Sequence, residues 1–461
     1  MGNTESAVVQ KRMVRFRPEE RPVVEGVFDR LQGKESGRTQ GNATKVLTLD
    51  TLKVCMTDIA PDSMIVRLFE AMRSVDPGGA APPSGGVSRE QLLVFLADTL
   101  RGTAEERAPL VMAMACKGAG AVAMDSQVRE FLEDLILAVL QILTCRGRLQ
   151  GWKPERMEDS ARGVKLLAEQ MSSEIKVSGN TLWGGVWPFL TEQHTCDVPC
   201  LEDWLFRMSG VALYLELVVS EGLGVHLPSR PPPCLLPKCG SAPWGELRSL
   251  LDLPLLLFLF PQLPDHSVSW RLLFSTRLHG ESFTRMVSSC TRRGPTLLLL
   301  RDSDGHQFGG FASHSWDIKP QFQGDSRCFL FSVFPSLRVY TCTGYNEHYM
   351  YLNQGQQTMP NGLGMGGQHN YFGLWLDSDF GHGHSRARPR CTTYGSPQLS
   401  GKEDFTLENV EVWGVGQPPE ELQAEGKKSV LDMDPETQAI MEMAGKTLLS
   451  QGLREPEEDE H

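Results

Sequence analysis

The sequence predicts an α+β protein with a helical first half and a β-rich second half. Three observations carry this. Apolar residues recur at helical spacing over roughly the first 220 positions. Six prolines (Pro228, Pro231, Pro232, Pro233, Pro237 and Pro243) then break the chain. Beyond them, short aromatic or branched runs alternate with Gly, Asp, Asn and Pro. At roughly 150 residues per domain, 461 residues amount to about three units. The expected division is a basic N-terminus (1–17), a helical region (18–224), a Pro-rich linker (225–243), a β-rich domain (244–416) and an acidic tail (417–461).

Met1-Gly-Asn-Thr-Glu-Ser6 fits M-G-x-x-x-[ST], the pattern for N-myristoylation, in which the acyl chain joins the unhindered amine of Gly2. A single myristoyl chain binds a bilayer only marginally, so a second signal is expected. Lys11, Arg12, Arg15 and Arg17 supply one, with no acidic residue between Ala7 and Pro18, and predict contact with an anionic membrane surface.

In the helical region Ile65, Leu68, Phe69 and Met72 form an i, i+3, i+4, i+7 stripe. Ser88-Arg-Glu-Gln91 and Thr103-Ala-Glu-Glu106 read as capping boxes. Phe131, Leu132, Leu135, Ile136, Val139 and Leu140 make a wide apolar face, and a further helix is expected over 201–220, with Glu216 as a polar member that has no evident role. The 76–87 loop between two helices invites an EF-hand-like reading. A calcium loop needs oxygens at positions 3, 5 and 12, and this one offers Gly78, Ala80 and Val87. The expectation is an EF-hand-like helical pair that serves packing or partner binding rather than calcium. His194, Cys196 and Cys200 lack the second ligand pair that structural zinc requires, and read as ordinary residues.

Strands are expected over 296–300, 308–312, 328–334, 337–342, 349–352 and 371–376, as an antiparallel sandwich, with 270–273 and 282–287 as helical pieces beside it. Gly362-Leu-Gly-Met-Gly-Gly367 satisfies GxGxxG, but no strand precedes it and no helix follows, so it reads as close-packed backbone and not as a dinucleotide loop. Asp302-Ser-Asp304-Gly305 and Asp377-Ser-Asp379 read as hairpin turns, and His382 and His384 as loop residues. No nucleophile elbow, HExxH or phosphate loop occurs, and no catalytic residue, metal or cofactor is expected.

Net charge is −12, and residues 417–461 hold twelve acidic against four basic side chains. A chain of this balance is a poor nucleic-acid partner. Eleven scattered cysteines and no apolar leader suggest free thiols in a reducing, cytoplasmic setting. The run 250–260 (LLDLPLLLFLF) is too short to span a bilayer, which takes about twenty residues. In the tail, Asp434-Pro-Glu436 starts a helix expected over 434–451, whose stripe of Ile440, Met443, Ala444, Thr447 and Leu448 reads as a partner-binding face.

The runs 270–283 (WRLLFSTRLHGESF), 308–313 (FGGFAS), 329–331 (FLF), 362–376 and 411–415 (EVWGV) resemble, in order, the TLDc domain family over about residues 244–416. The resemblance implies a β-sandwich with flanking helices and no established catalytic set. It also implies the vacuolar proton-pumping ATPase and mTOR complex components as partners, on the cytosolic face of the lysosomal membrane. The function it implies is a non-enzymatic, membrane-recruited adaptor. Two alternatives stand beside it: a thiol-based oxidation-resistance protein acting through Cys328 or Cys391, and a calcium sensor in the helical region.

Overall fold

A computed structural model describes residues 7–33, 46–78, 85–175, 195–264 and 269–417. The chain divides into two compact units. Met1–Pro237 and Leu251–Gln262 make the first, and Lys238–Leu250 with the chain from Leu263 makes the second.

The first unit is helical. It opens with α1 (Ala7–Met13), α2 (Arg21–Glu25) and α3 (Val27–Gly33). From α3 to α10 the described helices are joined as two pairs of helix pairs. In the first pair α3 leads to α4 (Leu49–Met56), and α5 (Asp62–Ser74) leads to α6 (Arg89–Arg101). Their loops meet where Leu47 and Val87 exchange backbone hydrogen bonds of 2.9 Å, directly ahead of α4 and α6. The second pair is α7 (Ala104–Cys116) with α8 (Asp125–Cys145), and α9 (Ser160–Ser173) with α10 (Val198–Arg207). Here the joint is a two-stranded antiparallel sheet of β1 (Val122–Met124) and β2 (Thr195–Asp197).

The helix signals act as the sequence predicts. Ser88 and Thr103 both close full capping boxes, on Gln91 and Glu106. Ile65, Leu68, Phe69 and Met72 are buried on α5. Arg67, 1% exposed on the same helix, pairs with Asp134 of α8 at 2.6 Å and donates to the Met114 carbonyl of α7 at 2.7 Å. The helix expected over 201–220 is in fact two, α10 and α11 (Ser209–Leu223), because Met208 leaves helical geometry at φ −102° and ψ 65°. Ser209 and Gly210 follow it, so local propensity does little to carry the helix through. Glu216 now has a role, pairing with Arg107 at 2.8 Å and Arg230 at 3.0 Å.

The end of this unit uses the Pro-rich segment, which is packed structure up to Pro237 and not a free linker. Leu235 and Leu236 are buried, and the Trp152 indole donates to the Pro237 carbonyl at 2.8 Å. From Leu251 on, the apolar run also belongs to this unit, as α12 (Leu253–Leu259) packed on α9. Among the described residues no helix is long and apolar enough to cross a membrane. Asp252 caps α12, accepting from the Leu255 N–H at 2.7 Å, and its carboxylate lies on Gly163 of α9, where any Cβ would fall 2.1 Å from Oδ2. Burial pushes its carboxyl up to about 7. A folded-state value above the unfolded one means stability that is present in acid and lost as pH rises from about 4 to about 7. Asp252→Asn, which keeps the acceptor, is expected to raise the unfolding midpoint at pH 8 by an amount equivalent to roughly 2–4 kcal/mol and to change little at pH 4. Thermal melts at both pH values check this.

The second unit is an antiparallel sheet folded over one core. Its elements are β3 (Lys238–Ser241), β4 (Ser269–Ser275), α13 (Thr276–His279), α14 (Phe283–Cys290), β5 (Thr296–Asp302), β6 (Gln307–Ala312), β7 (Lys319–Gln323), β8 (Phe329–Phe334), β9 (Arg338–Thr341), β10 (Met350–Asn353), β11 (Gly362–Gln368), β12 (Tyr371–Asp377), β13 (His382–His384) and β14 (Asp404–Val415). The strand order is β7-β10-β11-β12-β13-β14-β5-β6-β8-β9, with β4 also on β14 and β3 parallel to β4. The long β14 joins the two halves. Its first residues pair with β13 and the rest with β5. Leu352, Leu363, Met365 and Leu374 of one half share a core with Leu298, Leu300, Phe308 and Leu330 of the other, which is the sandwich the strand pattern predicts.

Residues 270–273, expected as helix, form strand β4 instead. Trp270 and Phe274 are fully buried there, and pairing with β14 overrides local preference. The 282–287 piece is helical, as α14. The glycine run is strand β11, and Gly364 has no Cβ because the Phe372 and Trp375 rings lie over it, within 2.8 Å of where one would stand.

Candidate functional site

The N-terminal segment is seated on the helical unit by residues spaced four and three positions apart. Val9, Met13 and Phe16 are buried, and α1 packs against α6. Between them Arg12 and Arg15 turn inward to Asp98 of α6 and Glu106 of α7. Arg12 Nε lies 2.6 Å from Asp98 Oδ1 and its Nη1 2.8 Å from Glu106 Oε1. Arg15 grips both oxygens of Glu106, at 2.6 and 2.5 Å, and reaches Asp98 at 3.4 Å. The hydrogen bonds from Arg15 hold the Glu106 carboxyl down at about 2, whereas burial lifts that of Asp98 to about 6. Glu106 is therefore the principal counter-ion. It also closes the α7 capping box by accepting from the Thr103 N–H at 3.0 Å. Behind this clasp Glu20, fully buried, accepts from the Arg17 N–H at 2.9 Å and from Arg101 at 2.8 Å, and bonds Ser229.

This corrects the expected basic surface. Arg12 and Arg15 are engaged by carboxylates that lie more than eighty positions away in the chain, and no spacing in the N-terminal segment reveals them. Lys11 and Arg17 remain exposed, and between them Val14 is 70% exposed. The outward face is thus two cations flanking an apolar side chain. Nothing in the sequence marks Val14 or Asp98 as site residues, and the capping box gives Glu106 a local role only. Gly2 lies outside the described residues, as does the 434–451 segment with Ile440, Met443, Ala444, Thr447 and Leu448.

The thiol alternative fares poorly in this geometry. Cys328 is 1% and Cys391 3% exposed, and burial pushes both thiols up from the ordinary value, opposite to the low-pKa thiolate that peroxide chemistry needs. Arg327, next to Cys328 in the chain, is paired with Asp325. Cys196 and Cys200 are buried where β2 enters α10, and His194 lies outside the described residues. Among the described residues no three His, Cys, Asp or Glu side chains are grouped to hold a metal ion.

The calcium alternative finds no ligand set among the described loop residues. Asp76 Oδ1 accepts from the Gly78 N–H at 2.8 Å in a local turn, and Lys117-Gly-Ala-Gly-Ala121 offers no side-chain oxygen. Asp302 is a fully buried turn residue that accepts from the His306 and Gly401 N–H groups at 2.8 and 2.9 Å. Asp377 ends β12 and accepts from the Trp375 indole at 2.6 Å. His382 and His384 lie in β13, and burial pushes His384 down to about 4.

A second polar feature ties the β-rich unit together. Glu411 of β14 is fully buried and accepts from Ser249 Oγ at 2.7 Å, the Leu250 N–H at 2.8 Å and the Trp413 indole at 3.0 Å. It thereby fixes the 238–250 segment to the central strand.

Residues 247–416 match the TLDc domain family, a span that takes in α12 and the strands β4–β14 of the second unit. Over its whole length the chain is similar to MTOR-associated protein MEAK7 of Danio rerio, 64% identical over 462 residues and covering 100% of both chains. The protein of that name in Gallus gallus is 49% identical over 469 residues, covering 100% of this chain and 99% of that one. Oxidation resistance protein 1 of Bos taurus is 35% identical over 154 residues, 33% of this chain and 17% of that protein. The chain belongs to the MEAK7 family of TLDc-domain proteins.

Proposed function

We propose that the chain is a non-enzymatic adaptor recruited to the cytosolic face of the lysosomal membrane. A myristoyl group on Gly2 supplies one membrane contact and the Lys11–Val14–Arg17 face the other. The single observation that supports this reading best is the clasp. Asp98 and Glu106 absorb Arg12 and Arg15 and so orient a fixed, small, basic and apolar face on the same short segment that carries Gly2. The relatives' names, none of them an enzyme's, favour a role in mTOR signalling, with components of that complex as partners. The TLDc domain is proposed to engage the vacuolar proton-pumping ATPase, and the 434–451 segment is proposed to read a partner through Ile440, Met443, Ala444, Thr447 and Leu448.

The membrane face is tested with myristoylated protein on vesicles with and without phosphatidylserine. Each cation contributes about 1 kcal/mol near an anionic surface. Lys11→Ala with Arg17→Ala is therefore expected to weaken partition to anionic vesicles roughly tenfold to thirtyfold and to leave neutral vesicles unaffected. Equal partition of the variant and the wild type on anionic vesicles would sink this part of the reading.

A further inference from the structure

Where β14 ends, Arg271 meets the turn that carries Arg292 and Arg293. Arg271 lies across Gly414, with its guanidinium carbon 3.2 Å from where a Cβ would stand. It donates to the Gly416 carbonyl at 2.8 Å and to the Arg293 carbonyl at 2.6 Å. Arg292 and Arg293, both exposed, form the turn between α14 and β5 that this bond closes. Among the described residues none of the three has a carboxylate within ion-pairing distance. The cost of that crowding registers at Arg271, whose guanidinium is held below its ordinary value by burial and by the charge of Arg293. The described chain ends at this corner, at Gln417, and the next acidic residues are Glu420, Glu421 and Glu425, ahead of the first base at Lys427. At about 3.5 Å per residue, Glu420 and Glu421 can reach at most about 14–17 Å from Gly416. Lone surface ion pairs contribute little. Three cations meeting two adjacent carboxylates that connectivity already keeps close is a better case, because little further chain entropy is lost.

We propose that Arg271, Arg292 and Arg293 form a dock for the root of this chain's own acidic tail, taken up by Glu420 and Glu421. The docked root gives the 434–451 segment a fixed point of departure from the TLDc domain, with residues 426–433 as its tether.

The test uses the full chain carrying Arg292→Lys and Arg293→Lys, which keeps the charge and supplies amines that a zero-length carbodiimide can couple to carboxylates. Peptide mapping is expected to find isopeptide bonds from position 292 or 293 to Glu420 or Glu421 at low salt. The yield is expected to be at least fivefold above that to Glu457, Glu458 or Glu460, and to fall severalfold at high salt as screening shortens the reach of the charges. Adding Arg271→Gln is expected to lower it further, whereas a merely tethered, undocked root would keep its yield unchanged. No such bond, a bond insensitive to salt and to Arg271→Gln, or a bond formed only between two differently isotope-labelled chains would overturn the proposal.

Discussion

Glu411→Ala is expected to lower the stability of the TLDc domain by about 3–5 kcal/mol. The carboxylate is fully buried, and its three partners, Ser249 Oγ, the Leu250 N–H and the Trp413 indole, are all neutral donors. Alanine leaves them without an acceptor, at about 1–3 kcal/mol for each buried group. For a unit of this size that corresponds to a fall of roughly 6–20 °C in its unfolding midpoint. Glu411→Gln keeps an acceptor for Leu250 but turns amide hydrogens toward the other donors, so a smaller loss of about 1–3 kcal/mol is expected. Burial raises the Glu411 carboxyl above its ordinary value. The wild-type protein therefore holds this stability most fully in acid and loses part of it as pH rises, so the penalty of the Gln variant shrinks on the alkaline side. Calorimetry of the full chain checks both, and a Glu411→Ala midpoint within a degree or two of wild type would show that the 238–250 segment is held by other contacts.

Phe16→Ala carries the second large effect. Phe16 is 1% exposed and anchors the end of the N-terminal segment. Removing a buried phenyl group costs about 3–5 kcal/mol where the surroundings cannot collapse. A short terminal helix can instead undock by itself, and the global loss is then capped by the free energy of that local opening. The expected signature is accordingly a modest change in the unfolding midpoint with a large rise in access. Trypsin cleavage at Arg12 and Arg15 should accelerate roughly 100-fold or more, as a loss of about 3 kcal/mol in the closed state implies. Glu106→Ala should act in the same direction and more weakly, because Asp98 remains to hold both arginines. Unchanged cleavage in Phe16→Ala would mean that α1 is secured by Val9, Met13 and the clasp without Phe16.

The parts of the fold that are legible in the sequence are those set by local chemistry. The capping boxes at Ser88 and Thr103, the stripe on α5 and the Asp302–Gly305 turn depend on residues within a few positions of one another, and they form as expected. What stays hidden depends on distant partners. The 270–273 stretch reads as helix until β14, some 140 residues on, pairs with it. Arg12 and Arg15 read as surface charge until Asp98 and Glu106 face them. The assignment of 238–250 and 251–262 to different units is not marked by the proline breaks, which fall inside both stretches, at Pro243, Pro254 and Pro261. Of the proposed membrane face, the basic residues are visible, but which two of the four stay outside is decided by helix packing.

The central claim is that this TLDc-domain protein acts at a membrane because its N-terminus takes it there. The most direct measurement is the fraction of full-length protein recovered on purified lysosomes, comparing wild type with Gly2→Ala, together with the proton pump captured from each. Wild type is expected largely on the membrane with the pump. Gly2→Ala should be at least tenfold depleted there while its two units melt as in the wild type. Equal recovery of both proteins on the membrane, with equal pump, would contradict the claim and shift recruitment from the N-terminal face to the TLDc domain or the tail.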